Sequence, residues 1–326
     1  MKAIRLHEYG PAENLHLQTL PDLTPAVGEV RVSVAVAGVH VIDTELRAKG
    51  AAENLPAAEL PMTPGREIAG IVDFLGPGAP DAWLGKRVVA HLGAASGGYA
   101  SQAIAKVADL IEIPESPDFD AAVAMVGTGR TTVAMLHLAT VRADDSVLVT
   151  AAAGGIGNLL VQEARAVGAY VISAAGGSEK ASVVADIGAD LVVDYTLPDW
   201  PGGVRTALGE RRISLVLDGV GGDLGTTAMN LLGPGGRLVL FGFSSGKPTQ
   251  LGVYDLIALG ITASAAIGAR MFDRDLRPLQ LRALEAAASG RWKPLIGPAF
   301  SLADAAAAHT AIVERRTIGK TVLVPD

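Results

Sequence analysis

Residues 147–157 read Val-Leu-Val-Thr-Ala-Ala-Ala-Gly-Gly-Ile-Gly. An apolar strand, Val147–Thr150, runs directly into a glycine-rich turn, and a helical pattern follows from Ile156. The same rhythm then repeats. Short, nearly continuous apolar runs stand at Tyr170–Ser173, Leu191–Asp194, Leu215–Asp218 and Arg237–Phe241, with Ile261–Ala265 as a sixth, and a helix opens at Glu179 between two of them. Strands without polar alternation, spaced by helices, belong to a parallel sheet covered on both faces. This stretch therefore restricts the chain to an α/β, doubly wound architecture over its central part.

The flanks follow other rules. Val30–Val36 alternates with period two, as a half-buried strand does, and Ile68–Val72 and Arg87–Ala90 are further short strands. Gly10-Pro11 and Gly76-Pro77-Gly78 supply turns. Asp120–Ala139 reads as one helical stretch, and the tail closes on an apolar strand, Thr321–Val324. At 326 residues the chain exceeds what one core usually serves. The expectation is a β-rich domain from residues 1–121 and 266–326, with a nucleotide-binding domain at 122–265 inserted between.

Composition removes several function classes. A net charge of -7 argues against nucleic acid or an anionic membrane as partner. The absence of cysteine rules out disulfides and thiolate zinc sites. No signal-peptide pattern opens the chain and no long unbroken apolar run occurs, so the expectation is a soluble, cytoplasmic protein with no membrane partner.

A lone glycine motif is weak, but here it sits between strand and helix, the context that gives it meaning. Gly154 lets backbone approach a pyrophosphate, Gly157 lets helix and strand pack closely, and the helix start at Gly155 and Ile156 offers N–H groups and a favourable dipole to phosphate. Ala153 lies in the same turn, and Ala152 occupies the place of the first fingerprint glycine. Cofactor choice is read about 20 residues on, where an NAD enzyme carries Asp or Glu. This chain has Ser173-Ala174-Ala175-Gly176-Gly177-Ser178-Glu179-Lys180. Small residues leave room for a 2′-phosphate and Lys180 supplies charge, which points to NADPH; the alternative is that Lys180 is a solvated first-turn lysine.

An ordered set of segments now resembles one family. They include Met1-Lys2-Ala3-Ile4, Ala37–Asp43, Pro64–Gly70, the glycine turn, Asp190 and Asp194-Tyr195, Asp218–Gly222, Gly235–Val239 with Gly242, and Gly319–Pro325. Together they resemble the medium-chain dehydrogenase/reductase superfamily, in its zinc-free quinone oxidoreductase (zeta-crystallin-like) branch. The resemblance implies a GroES-like β-rich catalytic domain plus a Rossmann domain, with the active site in the cleft between. It implies NADPH held by Gly176, Gly177, Lys180, Tyr195 and Arg315, with Val220, Phe241, Gly242, Phe243 and Ser244 also at the cofactor. Gly176-Gly177 departs from the branch's usual hydroxyl pair, keeping the space but losing donors. Zinc-dependent relatives carry ligands at the positions of His40 and Arg66. An arginine cannot coordinate metal, so no metal site is expected.

Hydride transfer belongs to the nicotinamide, and the protein must orient the acceptor and stabilise charge on its oxygen. The quinone branch usually has Asn at position 40 and Tyr at position 45; this chain has His40 and Glu45. His40 either donates to the substrate or replaces Asn as a cofactor or backbone contact. Thr131, in Gly129-Arg130-Thr131, matches a family stretch at the nicotinamide; Arg130 faces either the cleft or solvent. His91, His137 and His309 have no motif around them. The expectation is an NADPH-dependent, zinc-independent reductase of a quinone or conjugated carbonyl. An enoyl or enone reductase of a biosynthetic pathway, or an NADPH-binding protein without catalysis, are the alternatives. A homodimer is expected, since Leu256–Ala263 reads as an apolar sheet edge.

Overall fold

A computed structural model describes residues 1–50, 59–93, 96–268 and 275–325. The N-terminal part contains β1 (Lys2–Leu6), β2 (Leu15–Thr19), β3 (Glu29–Val39), α1 (Val41–Lys49), β4 (Glu67–Leu75), β5 (Arg87–His91), β6 (Gln102–Lys106), β7 (Ile111–Glu112) and α2 (Phe119–Ala124). The middle contains α3 (Arg130–Ala139), β8 (Ser146–Val149), α4 (Gly155–Val167), β9 (Tyr170–Ala175), α5 (Ser178–Asp186), β10 (Leu191–Asp194), α6 (Trp200–Leu208), β11 (Ile213–Asp218), α7 (Gly222–Met229), β12 (Leu232–Leu240), α8 (Val253–Leu259) and β13 (Thr262–Ala265). The C-terminal part contains α9 (Arg277–Ala288), β14 (Phe300–Ser301), α10 (Ala305–Val313) and β15 (Thr321–Val324).

The chain divides into two compact units. One joins Met1–Thr128 to Gln280–Asp326, and the other is Gly129–Leu279. Both boundaries fall later than the expected 121/122 and 265/266; the first does so because α2 packs on β3 and β4 and so belongs with them. The stretch read as one helix is interrupted. Between α2 and α3 the backbone widens into a π turn at Met125–Gly129, where Gly127 and Gly129 have no side chain to crowd it.

The middle unit is a parallel sheet in the order β10-β9-β8-β11-β12-β13. Counted from its own first strand, this is the 3-2-1-4-5-6 order of a dinucleotide-binding fold. Successive side chains alternate between two cores. Val147, Val149, Leu215 and Leu217 face one helical layer with Leu160, Val161 and Ala164, while Leu148, Ile172, Val216 and Leu238 face the other with Val204, Ala228 and Met229. This explains the unbroken apolar runs: with both faces covered there is no polar side to alternate with. The apolar stretch Leu256–Ala263 is not one edge strand. Its first half belongs to α8, and only Thr262–Ala265 forms the edge, as β13.

The other unit is a mainly antiparallel sheet in the order β14-β15-β3-β4-β5-β7, with β6 also pairing β3, and β1 and β2 forming a separate hairpin. The C-terminal β15 lies against the N-terminal β3, so the two chain ends close one core containing Ile4, Val32, Ile68, Tyr99 and Leu323. Register does more than build the core. Val322 lies opposite Gly38, Gly38 opposite Glu67, and Glu67 opposite His91. Thr321 pairs with Val39, so the next step along both strands brings Lys320 beside His40.

Candidate functional site

In the middle unit the strand order reverses between β8 and β11, and the turn after β8 lies at that reversal. Ala151 takes the left-handed conformation there, with φ 50°. An L-residue in that region costs about 1–2 kcal/mol, a local strain of the kind found where backbone must meet a ligand. Gly154 caps α4 in extended conformation, its N–H donating to the Ala151 carbonyl at 2.8 Å. A Cβ at Gly157 would overlap the Ala151 carbonyl and come within 2.8 Å of the Ala152 Cα, so only glycine lets the helix start so close to the turn. The buried Asn158 amide donates to the Gly154 and Gly155 carbonyls at 2.7 Å each, holding the turn on the helix. Gly155, Ile156 and Gly157 form the first turn of α4, whose N–H groups point outward as in any helix start. Gly155 and Ile156 are partly exposed, and Ala153 is buried beneath them.

Gly176, Gly177, Lys180 and Tyr195 come together at the ends of β9 and β10. The Tyr195 ring lies over Gly176, where a Cβ would approach it to 2.9 Å. Gly177 has φ 93° and caps α5, with Lys180 in that helix's first turn. One partner was not foreseen. Asp194 Oδ1 accepts the Gly177 N–H at 2.8 Å and both Thr196 donors, the hydroxyl at 2.6 Å and the N–H at 2.9 Å. These bonds, the Thr196 hydroxyl first, hold the Asp194 carboxyl below its ordinary range.

Val220, Phe241, Gly242, Phe243 and Ser244 form a second cluster, at the ends of β11 and β12. Ser244 N–H donates to the Gly219 carbonyl at 3.1 Å and Ser245 N–H to that of Val220 at 2.8 Å. The Phe241 ring fills the space a Cβ on Gly219 would take. Phe243 is about half exposed, at 49%. Beneath the cluster is Asp218, fully buried. It accepts from the hydroxyls of Thr150 and Thr249, both at 2.6 Å, and from Val220 N–H at 3.0 Å. Thr150 directly precedes the glycine turn, so this carboxylate ties the two loops to each other. Sequence reading passed over it, although an acidic residue ending an apolar strand before Gly-Val-Gly-Gly is a visible signal. Thr131 and Arg130 open α3, and Arg130 is buried, which removes the reading that it faces solvent.

The β-rich unit holds a polar group of its own. His40 caps α1, its backbone N–H donating to Asp43 Oδ2 at 2.9 Å, while the Asp43 N–H goes to the His40 carbonyl at 3.1 Å. Asp43 also accepts from Arg66 Nε and from the Tyr99 hydroxyl, both at 3.2 Å. The His40 ring turns Nε2 inward, 2.5 Å from Glu67 Oε1 and 2.9 Å from Lys320 Nζ, and Lys320 donates to Glu67 Oε2 at 2.7 Å. Glu67 is fully buried and Lys320 nearly so. Burial alone would raise the Glu67 carboxyl; the charges of His40 and Lys320 outweigh it and hold it well below its ordinary range. Removing one partner of such a buried pair costs about 3–5 kcal/mol. Two glycines make the room: a Cβ at Gly127 would overlap Glu67 Oε1, and one at Gly38 would press on Glu67 and Lys320. Glu67 and Lys320 were absent from the expected site. Their signal was a charged residue at the mouth of an apolar strand.

Arg315 belongs to this unit, is exposed, and takes the left-handed conformation with φ 56° just after α10. His309 is completely buried on α10, its Nε2 3.2 Å from the Tyr99 hydroxyl. Burial pulls its imidazole down to about 4, with Asp43 opposing and Arg47 adding to the effect.

Zinc does not suit these donors. The chain has no cysteine, the Arg66 guanidinium is paired with Asp43, and the Lys320 ammonium occupies the space at His40 Nε2. Two fixed cations stand where a dication would need ligands. A dinucleotide does suit the middle unit, whose glycine turn opens backbone N–H groups at the strand-order reversal.

Comparison with known proteins agrees with this architecture. Residues 26–115 match the alcohol dehydrogenase GroES-like domain and residues 155–284 the zinc-binding dehydrogenase model. Among curated relatives, a quinone oxidoreductase of Sus scrofa is 31% identical over 99% of this chain and 98% of its own. A 2-haloacrylate reductase of a Burkholderia species is 30% identical over 98% of each chain. Among solved structures, an Escherichia coli quinone oxidoreductase complexed with NADPH has a TM-score of 0.86 at 28% identity over 100% of both chains. An NAD-dependent alcohol dehydrogenase has a TM-score of 0.87 at 28% identity over 99% of both. The chain belongs to the medium-chain dehydrogenase/reductase superfamily. Its fold is a GroES-like β-rich unit with a Rossmann-like parallel sheet, and its class is oxidoreductase using a nicotinamide cofactor.

Proposed function

We propose that this chain is a reductase that transfers hydride from NADPH to a quinone or a conjugated carbonyl compound, without zinc. The observation that carries the cofactor half is the corner where β9 and β10 end. No carboxylate of β9 stands there to take a ribose diol. Gly176 lets the Tyr195 ring pack against the strand end, Gly177 faces open space, and Lys180 adds a cation on the first turn of α5. Of the carboxylates nearby, Glu179 lies in the first turn of α5, past the usual ribose position, and Asp194 is engaged by Gly177 and Thr196. Arg315 is the last of the residues that the resemblance expects at NADPH, and its left-handed backbone is a cost that a functional side chain would justify. The acceptor half rests on relatives described as quinone oxidoreductase and 2-haloacrylate reductase, since quinones and acrylates are both conjugated acceptors.

The test is a titration of NADPH and NADH against wild type and Lys180→Ala. A charged hydrogen bond to phosphate contributes roughly 1.5–3 kcal/mol, so the variant should bind NADPH about 10–100-fold more weakly and NADH unchanged. Equal affinity of the wild type for both cofactors would remove the assignment. A panel of quinones, enals and enones with NADPH, run with and without a chelator, addresses the acceptor and the metal. Chelation should change nothing; stoichiometric zinc in the purified protein would refute the metal-free reading. Tight NADPH binding with no turnover on any acceptor would favour a non-catalytic role.

The protein is further proposed to be a homodimer. Among the described residues β13 ends the parallel sheet, and beside it α8 exposes Val253, Tyr254 and Ile257. An open edge next to apolar side chains invites a second copy. Light scattering at micromolar concentration should report twice the chain mass, and Ile257→Glu should halve it. A monomeric wild type would contradict the proposal.

A further inference from the structure

We propose that Glu67 and Lys320 are a positioning pair that fixes the His40 imidazole as its Nε2–H tautomer and leaves Nδ1 to deliver the proton that completes reduction. The inference rests on the reductase reading above and assigns roles to two residues outside it.

Nε2 of His40 faces two groups that make opposite demands. Glu67 Oε1, at 2.5 Å, can only accept a proton; Lys320 Nζ, at 2.9 Å, can only donate one. If Nε2 were bare, it would accept from Lys320, but its lone pair would then face a buried carboxylate oxygen that has no other donor. If Nε2 carries hydrogen, it donates to Oε1 while Lys320 donates to Oε2 at 2.7 Å, and both carboxylate oxygens are satisfied. A buried carboxylate left half satisfied is costly, so the second arrangement wins. Gly38 and Gly127 hold the group at this spacing, since a side chain at either would displace Glu67. The π turn that carries Gly127 is therefore part of the device.

With Nε2 committed, Nδ1 is the free nitrogen. It is not claimed by Glu67 or Lys320, and the side chain keeps 24% of its surface exposed. An acceptor that has received hydride from the reduced nicotinamide carries negative charge on oxygen. The imidazolium Nδ1–H proton passes to that oxygen, the N–H bond breaking as the O–H bond forms. His40 is left neutral with its remaining proton on Nε2 against Glu67, and solvent returns a proton to Nδ1. A carboxylate that orients a histidine in this way commonly changes activity about 10–100-fold.

The test separates tautomer from turnover. Two-bond 1H–15N spectra of histidine-labelled protein, with His40 assigned from His40→Asn, should show His40 as the Nε2–H tautomer in its neutral form. In Glu67→Gln the amide carbonyl is claimed by Lys320 and the NH2 faces Nε2, so the proton should move to Nδ1. Turnover should fall about 10–100-fold with the cofactor dissociation constant unchanged. Because Glu67→Gln leaves a buried lysine without its counter-charge, Glu67→Gln/Lys320→Met is measured beside it. With neither charge present, the tautomers should mix and turnover should drop by a similar factor. An Nδ1–H tautomer in the wild type overturns the proposal, and so does unchanged turnover in a variant whose tautomer has changed. Wild-type protein that turns over no acceptor would overturn the underlying reductase reading; the tautomer spectra, which need no substrate, would still decide the network.

Discussion

Replacing His40 by asparagine should lower turnover about 100-fold, the usual loss when a donor aimed at a developing oxyanion is removed. The asparagine amide overlays Nδ1 and stops short of Glu67, so Lys320 alone pairs the buried carboxylate and a thermal midpoint is measured beside turnover to separate lost stability from lost chemistry. Asparagine cannot carry the exchangeable proton that Nδ1 carries. The deficit should be larger for enones than for quinones, because an enolate is a stronger base than a hydroquinone monoanion and gains more from a donor. NADPH affinity should not move, since His40 is not among the residues proposed to hold the nucleotide. If His40 instead serves the cofactor, the loss appears in the NADPH dissociation constant. Turnover and affinity measured on the same preparation distinguish the two, and unchanged turnover removes His40 from the chemistry.

How far the sequence could be read depended on whether a feature is local or assembled by register. The parallel sheet was legible because its signal lies in consecutive residues: Val147–Thr150 and Leu215–Asp218 are apolar on both faces, and both faces are covered. The glycine turn was legible for the same reason. Local reading gave no sign of the strained residue, Ala151 with positive φ, because alanines in a row give no clue which one turns. The His40–Glu67–Lys320 group could not be read locally. It spans residues 40 to 320 and exists because β15 pairs with β3 and β3 with β4 in one particular register. Nor could helical periodicity reveal the π turn at Met125–Gly129, whose residues fit a continuous helix and whose reason, room for Glu67, lies on another strand. The two halves of Leu256–Ala263 were merged because apolar content alone does not separate a helix from the strand after it.

His309, set aside in the sequence as a histidine without a motif, should govern how the protein responds to mild acid. It is neutral in the folded state, pulled from an ordinary 6.5 to about 4 by burial. Asp43 favours its cation, and burial together with Arg47 outweighs it. The folded state thus binds this proton less readily than the unfolded chain. The histidine's contribution to stability is fully present above about pH 6.5 and is lost as pH falls from there towards 4. A gap of about 2.5 pH units is worth about 3 kcal/mol. The carboxylates held low, Asp22, Glu67, Asp145 and Asp194, add to acid loss only as pH falls below the ordinary carboxylate range, and Asp120, raised by burial and by Asp118, acts in the opposite sense. His309→Gln keeps a donor for the Tyr99 hydroxyl oxygen, whose own proton goes to Asp43, and removes the titration. Urea midpoints of the two proteins at pH 7 and pH 4.5 should converge as acid removes the wild type's advantage. Parallel curves across that window would mean that His309 takes up its proton in the folded state without penalty, and that the Tyr99 contact, not burial of a neutral ring, is what the residue provides.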